Sequence, residues 1–203
     1  MAANKKHIVL FASGSGSNAQ SIMTYFEHHP QIEVVALFSN KPDAYALQRA
    51  RNFGVPAFSF TREEYKNGSL LQQVQQYTPD LIVLAGFLWL VPLDFLQAFP
   101  NKIINIHPAL LPKYGGKGMH GAHVHQAVIA AQEKESGITI HYVNEVYDQG
   151  APIYQHTCPV NPSDTPEQLA ARVLELEHAH LHRIIEKLLI SPQSPVNSQQ
   201  TEL

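Results

Sequence analysis

Apolar positions along the chain gather into short blocks at 8–12, 32–38, 81–85 and 103–106, with almost no polar residue inside any of them. A strand of that kind has no face for water and belongs in the interior of a parallel sheet covered by helices. Between the blocks lie stretches of helical spacing at 19–26, 44–53, with Gly54 as a natural stop, and about 122–132. Pro92 opens a further short helix to 99, and 55–60 reads as a short extended piece. Residues 62–76 carry mixed helical spacing and are taken as one helix weakened in its middle by Asn67-Gly68. Beyond 121 the pattern changes: 138–143 and 152–157 are two β segments separated by a polar turn containing Asp148-Gln149-Gly150. Thr165-Pro166-Glu167-Gln168 has the residues of a reciprocal N-terminal cap and leads into a long amphipathic helix ending near 190. This alternation predicts an α/β fold, a doubly wound and mostly parallel sheet with helices on both faces and an antiparallel C-terminal edge. One domain is expected over 1–190, with halves dividing near residue 100, followed by a flexible tail at 191–203.

Charge narrows the partners. Lys plus Arg number 14 and Asp plus Glu 17, a formal net charge of −3, so no broad cationic surface for nucleic acid is expected, although a local anion site is compatible. No apolar run approaches the roughly 20 residues that a membrane helix requires. Cys158, the single cysteine, has no internal disulfide partner, and the first ten residues lack the apolar core of a secretory signal, which makes the cytoplasm the expected address.

Candidate chemistry sits at the ends of the blocks. Ser13-Gly14-Ser15-Gly16-Ser17-Asn18 follows a strand and opens a helix, an arrangement whose backbone donors collect phosphate oxygens. It lacks the third glycine of a dinucleotide loop and the Gly-Lys-Ser/Thr ending of a nucleoside triphosphate loop, and a ligand-free turn of small residues is the alternative. Asn105 and His107 alternate at the end of an interior strand, where amide and imidazole point the same way and can meet a developing oxyanion. Asp148 can approach His107 and favour its charge, or can simply stabilise its own turn. Twelve histidines raise a metal hypothesis at His120, His123 and His125, and at His178, His180 and His182, but neither set matches a two-histidine zinc helix. Phe87, Leu88, Trp89, Leu90 and Val91 after Gly86 suit either an aromatic-ligand wall or plain core.

Taken together, Gly14 to Asn18, Phe38-Ser39-Asn40, Leu84-Ala85-Gly86-Phe87, the run from Asn105 through His107 to Pro112, and the Asp148 turn resemble the phosphoribosylglycinamide formyltransferases, folate-dependent enzymes of purine biosynthesis. The resemblance spans about 6–189. It implies a Rossmann-like formyltransferase fold with a phosphate-binding half at about 1–100 and a catalytic and folate-binding half at about 101–190. The substrate phosphate would be held by Gly16, Ser17 and Asn18, with charge from Arg62, and the ribose hydroxyls by Glu177. Leu84, Gly86, Phe87, Leu88, Trp89, Leu90 and Val91 would form one folate wall, and Tyr142, Val143, Asn144, Glu145 and Asp148 the other. Asn105, His107 and Asp148 would be the catalytic trio, with 10-formyltetrahydrofolate as cosubstrate and no metal. Glycinamide ribonucleotide would be the other small-molecule partner, and a homodimer is compatible with the resemblance. Two positions depart from the family pattern: Trp89 stands where many relatives carry Arg, and Gly115-Gly116-Lys117-Gly118-Met119-His120 replaces a shorter loop. A methionyl-tRNA formyltransferase would normally add a C-terminal tRNA-binding domain and a more basic surface. A noncatalytic phosphometabolite-binding protein would not need the trio.

Overall fold

The computed structural model describes residues 5–190, so the tail expected at 191–203 lies outside the described residues. In chain order the elements are β1 (Lys6–Phe11), α1 (Ser17–Phe26), β2 (Ile32–Ser39), α2 (Tyr45–Asn52), β3 (Ala57–Ser59), α3 (Arg62–Lys66) and α4 (Ser69–Gln75). They continue as β4 (Leu81–Leu84), α5 (Leu93–Ala98), β5 (Ile103–His107), α6 (Ala122–Ala130), β6 (Glu135–Tyr142), β7 (Pro152–Pro159) and α7 (Pro166–Ile190). The strands form one sheet in the order β3-β2-β1-β4-β5-β6-β7. Pairing is parallel from β3 through β5 and antiparallel for β5 with β6 and β6 with β7. The doubly wound sheet with an antiparallel C-terminal edge is thus observed.

Strand β1 shows why the fold winds both ways. Its side chains alternate between faces. Ile8 and Leu10 enter a core shared with Ile22 of α1, Leu47 of α2 and Val173 and Ile185 of α7. Val9 and Phe11 face a second, aromatic-rich core with Phe60, Tyr65, Leu70 and Phe95. Ile8, Val9, Leu10 and Phe11 are all buried, which the uninterrupted apolar block demands. Among the described residues no helix is long and apolar enough to cross a membrane.

Two local predictions change. The single helix expected at 62–76 is two. Thr61 and Glu64 form a capping box at the start of α3, and Gly68, at φ 83°, turns the chain into α4. The Asn67 side chain stabilises that turn by accepting from the Ser69 backbone N–H at 3.0 Å and hydroxyl at 2.7 Å. The β segment expected at 138–143 begins instead at Glu135, and Val143 falls beyond it. The long helix is as expected: the Thr165 hydroxyl accepts from the Gln168 N–H and the Gln168 amide oxygen accepts from the Thr165 N–H, closing the reciprocal cap. Leu169, Val173, Glu177, Leu181 and Ile185 make its buried stripe, a carboxyl at the centre of four apolar residues.

Candidate active site

The strand order reverses between β1 and β4, and a cleft lies at the carboxyl ends of the strands there. The Ser13 N–H donates to the Gly86 carbonyl at 3.0 Å, and the Ser13 hydroxyl accepts from the Leu88 N–H at 3.1 Å, binding the two loops together. The resulting cleft encloses about 720 Å³. Ser17 and Asn18 open α1 at one end of it, Glu177 projects from α7, and Asn105, His107 and Asp148 lie on its wall. Gly16 reaches the helix start at φ 74°, and a Cβ there would stand 2.6 Å from the Ala46 Cβ, so both conformation and packing select glycine.

The three residues of the expected trio come from two places, β5 and the turn after β6. Asn105 and His107 are two apart on β5 and share a face. Register then places His141 of β6 opposite Asn105. The Asn105 side-chain N–H donates to His141 Nε2 at 3.1 Å, and His141 Nδ1 donates to the Tyr142 carbonyl at 2.8 Å. The second N–H of the Asn105 amide stays available to a ligand oxygen. Asp148, at φ 57° in the turn after β6, lies 3.6 Å from His107 Nδ1 and 3.7 Å from His141 Nε2. Its Oδ2 accepts from the Gly116 N–H at 2.8 Å. Gly115 permits that approach, because a Cβ there would meet the Leu111 Cδ2 at 2.5 Å and the Asp148 Cβ at 3.1 Å.

Electrostatics separate these groups. Burial raises the Asp148 carboxyl, but the His141 and His107 rings and the Gly116 N–H outweigh it and hold the group below its ordinary range. For His107 burial prevails: it pulls the imidazole below its usual value against the upward pull of the Asp148 carboxylate and the Tyr114 carbonyl. Burial thus favours the neutral ring, while the Asp148 carboxylate favours the charged form, the influence on His107 that the sequence reading allowed it. Burial pushes the Glu177 carboxyl up to about 7 although Asn18 Nδ2 donates to it at 2.8 Å.

The remaining sequence-singled residues divide. Gly86, Phe87 and Leu88 line the cleft, while Leu84, Trp89, Leu90, Val91, Tyr142, Val143, Asn144 and Glu145 lie outside its immediate lining. Arg62 stacks on Trp89, its guanidinium 4.9 Å from the ring centroid, and does not border the cleft at the glycine loop. The cation at that loop is Arg49, which no motif singled out and whose Nε–H donates to the Ser15 carbonyl at 2.8 Å. Lys117 and His120 bring further nitrogen groups to the cleft from the loop before α6. His125 also lines the cleft, with its Nδ1 buried and unpartnered. Among the described residues no group of three His, Cys, Asp or Glu side chains is arranged to hold a metal ion.

Comparison with known proteins gives the family. The formyl transferase family model matches residues 6–185. A chloroplastic phosphoribosylglycinamide formyltransferase of Arabidopsis thaliana is 42% identical over 86% of this chain and 62% of its own, so the chain spans about three fifths of that plant relative. The phosphoribosylglycinamide formyltransferase of Bacillus subtilis is 36% identical over 91% of this chain and 95% of its own. A crystal structure of glycinamide ribonucleotide transformylase 1 from Symbiobacterium toebii superposes with a TM-score of 0.84 at 34% identity, covering 91% of this chain and 88% of that one. With a family model spanning all but the margins of the described residues, and relatives more than one third identical over most of this length, the chain belongs to the formyl transferase family.

Proposed function

We propose that the chain transfers the formyl group of 10-formyltetrahydrofolate to the amine of 5′-phosphoribosylglycinamide, giving N-formylglycinamide ribonucleotide and tetrahydrofolate. The observation that carries this reading is the single cleft that joins a phosphate-competent helix start at Ser17 and Asn18 to the convergent Asn105, His107 and Asp148. The phosphate meets the N–H groups at the start of α1, with Arg49 adding charge behind the loop. The ribose hydroxyls donate to Glu177, and the folate enters along Gly86 to Leu88. Residues 1–190 act as one unit, with the cytoplasm as its compartment.

The substrate amine is its own nucleophile, so the chain's task is to hold two reactants in line and stabilise charge. Attack forms the bond from the amine nitrogen to the formyl carbon and raises an oxyanion. The open N–H of Asn105 donates to that oxygen. Neutral His107 accepts the proton lost by the attacking nitrogen, and the adjacent Asp148 carboxylate stabilises the imidazolium thus formed. Collapse breaks the bond between the formyl carbon and the folate nitrogen, which takes that proton from His107. A depressed imidazole suits this role, since the base is unprotonated when the substrates arrive.

The test is a purified-protein assay with glycinamide ribonucleotide and 10-formyltetrahydrofolate, following tetrahydrofolate by absorbance and the formyl gain on the amine by mass. Turnover is expected, and its loss in His107→Ala with phosphate-ester binding retained separates catalysis from binding. A folded protein with no formyl gain overturns the substrate pair.

A further inference from the structure

His107 has two ring nitrogens, and the structure gives them unequal surroundings. Nε2 lies 2.7 Å from the Tyr114 carbonyl, while Nδ1 faces Asp148 Oδ2 at 3.6 Å, beyond hydrogen-bond length. A carbonyl only accepts, so in the neutral ring the proton must sit on Nε2 and the lone pair on Nδ1. A second proton then has one place to go: Nδ1, next to a carboxylate. In the familiar arrangement of an acid–base histidine, a carboxylate orients one nitrogen and the other works. Here a main-chain carbonyl does the orienting, and the carboxylate stands beside the working nitrogen.

That carbonyl is held in place by an identifiable tether. Tyr114 has φ 56°, a left-handed conformation that a bulky non-glycine residue adopts only when its surroundings impose it. Its hydroxyl donates to Glu133 Oε1 at 2.9 Å, and Lys113 Nζ donates to the same oxygen at 2.8 Å. Glu133 lies just past the end of α6, so it anchors the loop to a helix that also carries His125. Two residues further on, the Gly116 N–H holds Asp148 Oδ2. The short segment 113–116 therefore grips both members of the pair, His107 through a carbonyl and Asp148 through an N–H.

We propose that Glu133 is a positioning residue for His107: by holding the Tyr114 side chain it keeps the Tyr114 carbonyl on Nε2 and makes Nδ1 the nitrogen that takes and returns the proton. The proposal rests on His107 as the proton acceptor of formyl transfer, and its first test needs no substrate. The groups facing the ring are Asp148 from the turn after β6, His141 from β6 and His125 from α6. None of them is changed by altering Glu133 or the Tyr114 hydroxyl.

The experiment is 15N NMR of histidine-labelled protein, with Tyr114→Phe, Glu133→Ala, Glu133→Gln and Lys113→Ala alongside the unaltered chain. The unaltered protein is expected to show neutral His107 as the Nε2–H tautomer. Tyr114→Phe and Glu133→Ala are expected to give a mixed tautomer, to lower kcat about tenfold with KM for both substrates within about threefold, and to move the acid limb of kcat to lower pH. The direction follows from the Tyr114 carbonyl, which raises the affinity of the ring for its proton. Glu133→Gln keeps an acceptor for the tyrosine hydroxyl and is expected to recover most of the rate. Lys113→Ala, whose side chain is 68% exposed, is expected to change the rate less than twofold. An Nδ1–H tautomer in the unaltered protein overturns the proposal whatever the substrate proves to be. So do folded Tyr114→Phe and Glu133→Ala variants with unchanged tautomer and pH profile.

Discussion

The buried carboxyl of Glu177 makes folding itself pH-dependent in a direction opposite to most carboxylates. Its folded value of about 7 stands above the ordinary 4.5, with burial as the main cause and the Asn18 N–H pulling the other way. Between those values the folded chain binds a proton that the unfolded chain does not, so stability falls as pH rises through the window. At 1.36 kcal/mol per unit, the ionised group costs about 3 kcal/mol above pH 7, and this cost is absent below 4.5. Glu177→Gln keeps an acceptor for Asn18 and removes the ionisation. Urea unfolding of both proteins at pH 5, 6, 7 and 8 isolates the group, because every other titration cancels in the difference. The variant is expected to gain stability relative to the unaltered protein steadily from pH 5 to 8, by roughly 2 to 3 kcal/mol in all. A difference that stays flat, or runs the other way, refutes the assignment of a protonated buried acid. Under the proposed ribose contact, hydroxyl donors favour the ionised form of this acid, so substrate binding near pH 7 is expected to release a proton, read as a buffer-dependent binding enthalpy. In Glu177→Gln that release disappears.

Further outcomes follow from other contacts. Asp148→Asn removes the carboxylate that supports protonated His107 and is expected to lower kcat about a hundredfold or more, with the acid limb of the rate profile displaced to lower pH. Gly16→Ala combines φ 74° with a Cβ 2.6 Å from Ala46; a loss of about 1 to 3 kcal/mol by urea unfolding and weaker phosphate-ester binding are expected, while Gly14→Ala, with nothing within 4 Å, stays within about 0.5 kcal/mol. Arg62→Ala loses a stack on Trp89 worth about 0.5 to 1 kcal/mol and, with both residues outside the cleft lining, is expected to leave KM for both substrates within about twofold; a raised KM for the phosphorylated amine alone would put Arg62 at the phosphate.

What a single sequence makes legible depends on which part of each residue does the work. The core strands are legible because burial acts on side chains: Leu81, Ile82, Val83 and Leu84 are apolar in succession, and all four are buried. Asn105 and His107 are legible because the strand period puts alternate residues on one face. His141 is not, since its contact with Asn105 depends on the register of β6 against β5, which joins residues 36 apart. Arg49 escapes for the same reason, acting on a loop 34 residues earlier. The Tyr114 carbonyl and the Gly116 N–H escape more completely, because every residue other than proline has both groups and no pattern marks the ones that are used. The contact between the loop at 115–120 and Asp148 has this main-chain character. Asp148 is met by an N–H, which any residue but proline supplies, and the one requirement on side chains is that position 115 has none, because Leu111 and Asp148 occupy the space. Lys117, Met119 and His120 face the cleft with their side chains, while the contact that orders the Asp148 carboxylate is carried by the backbone.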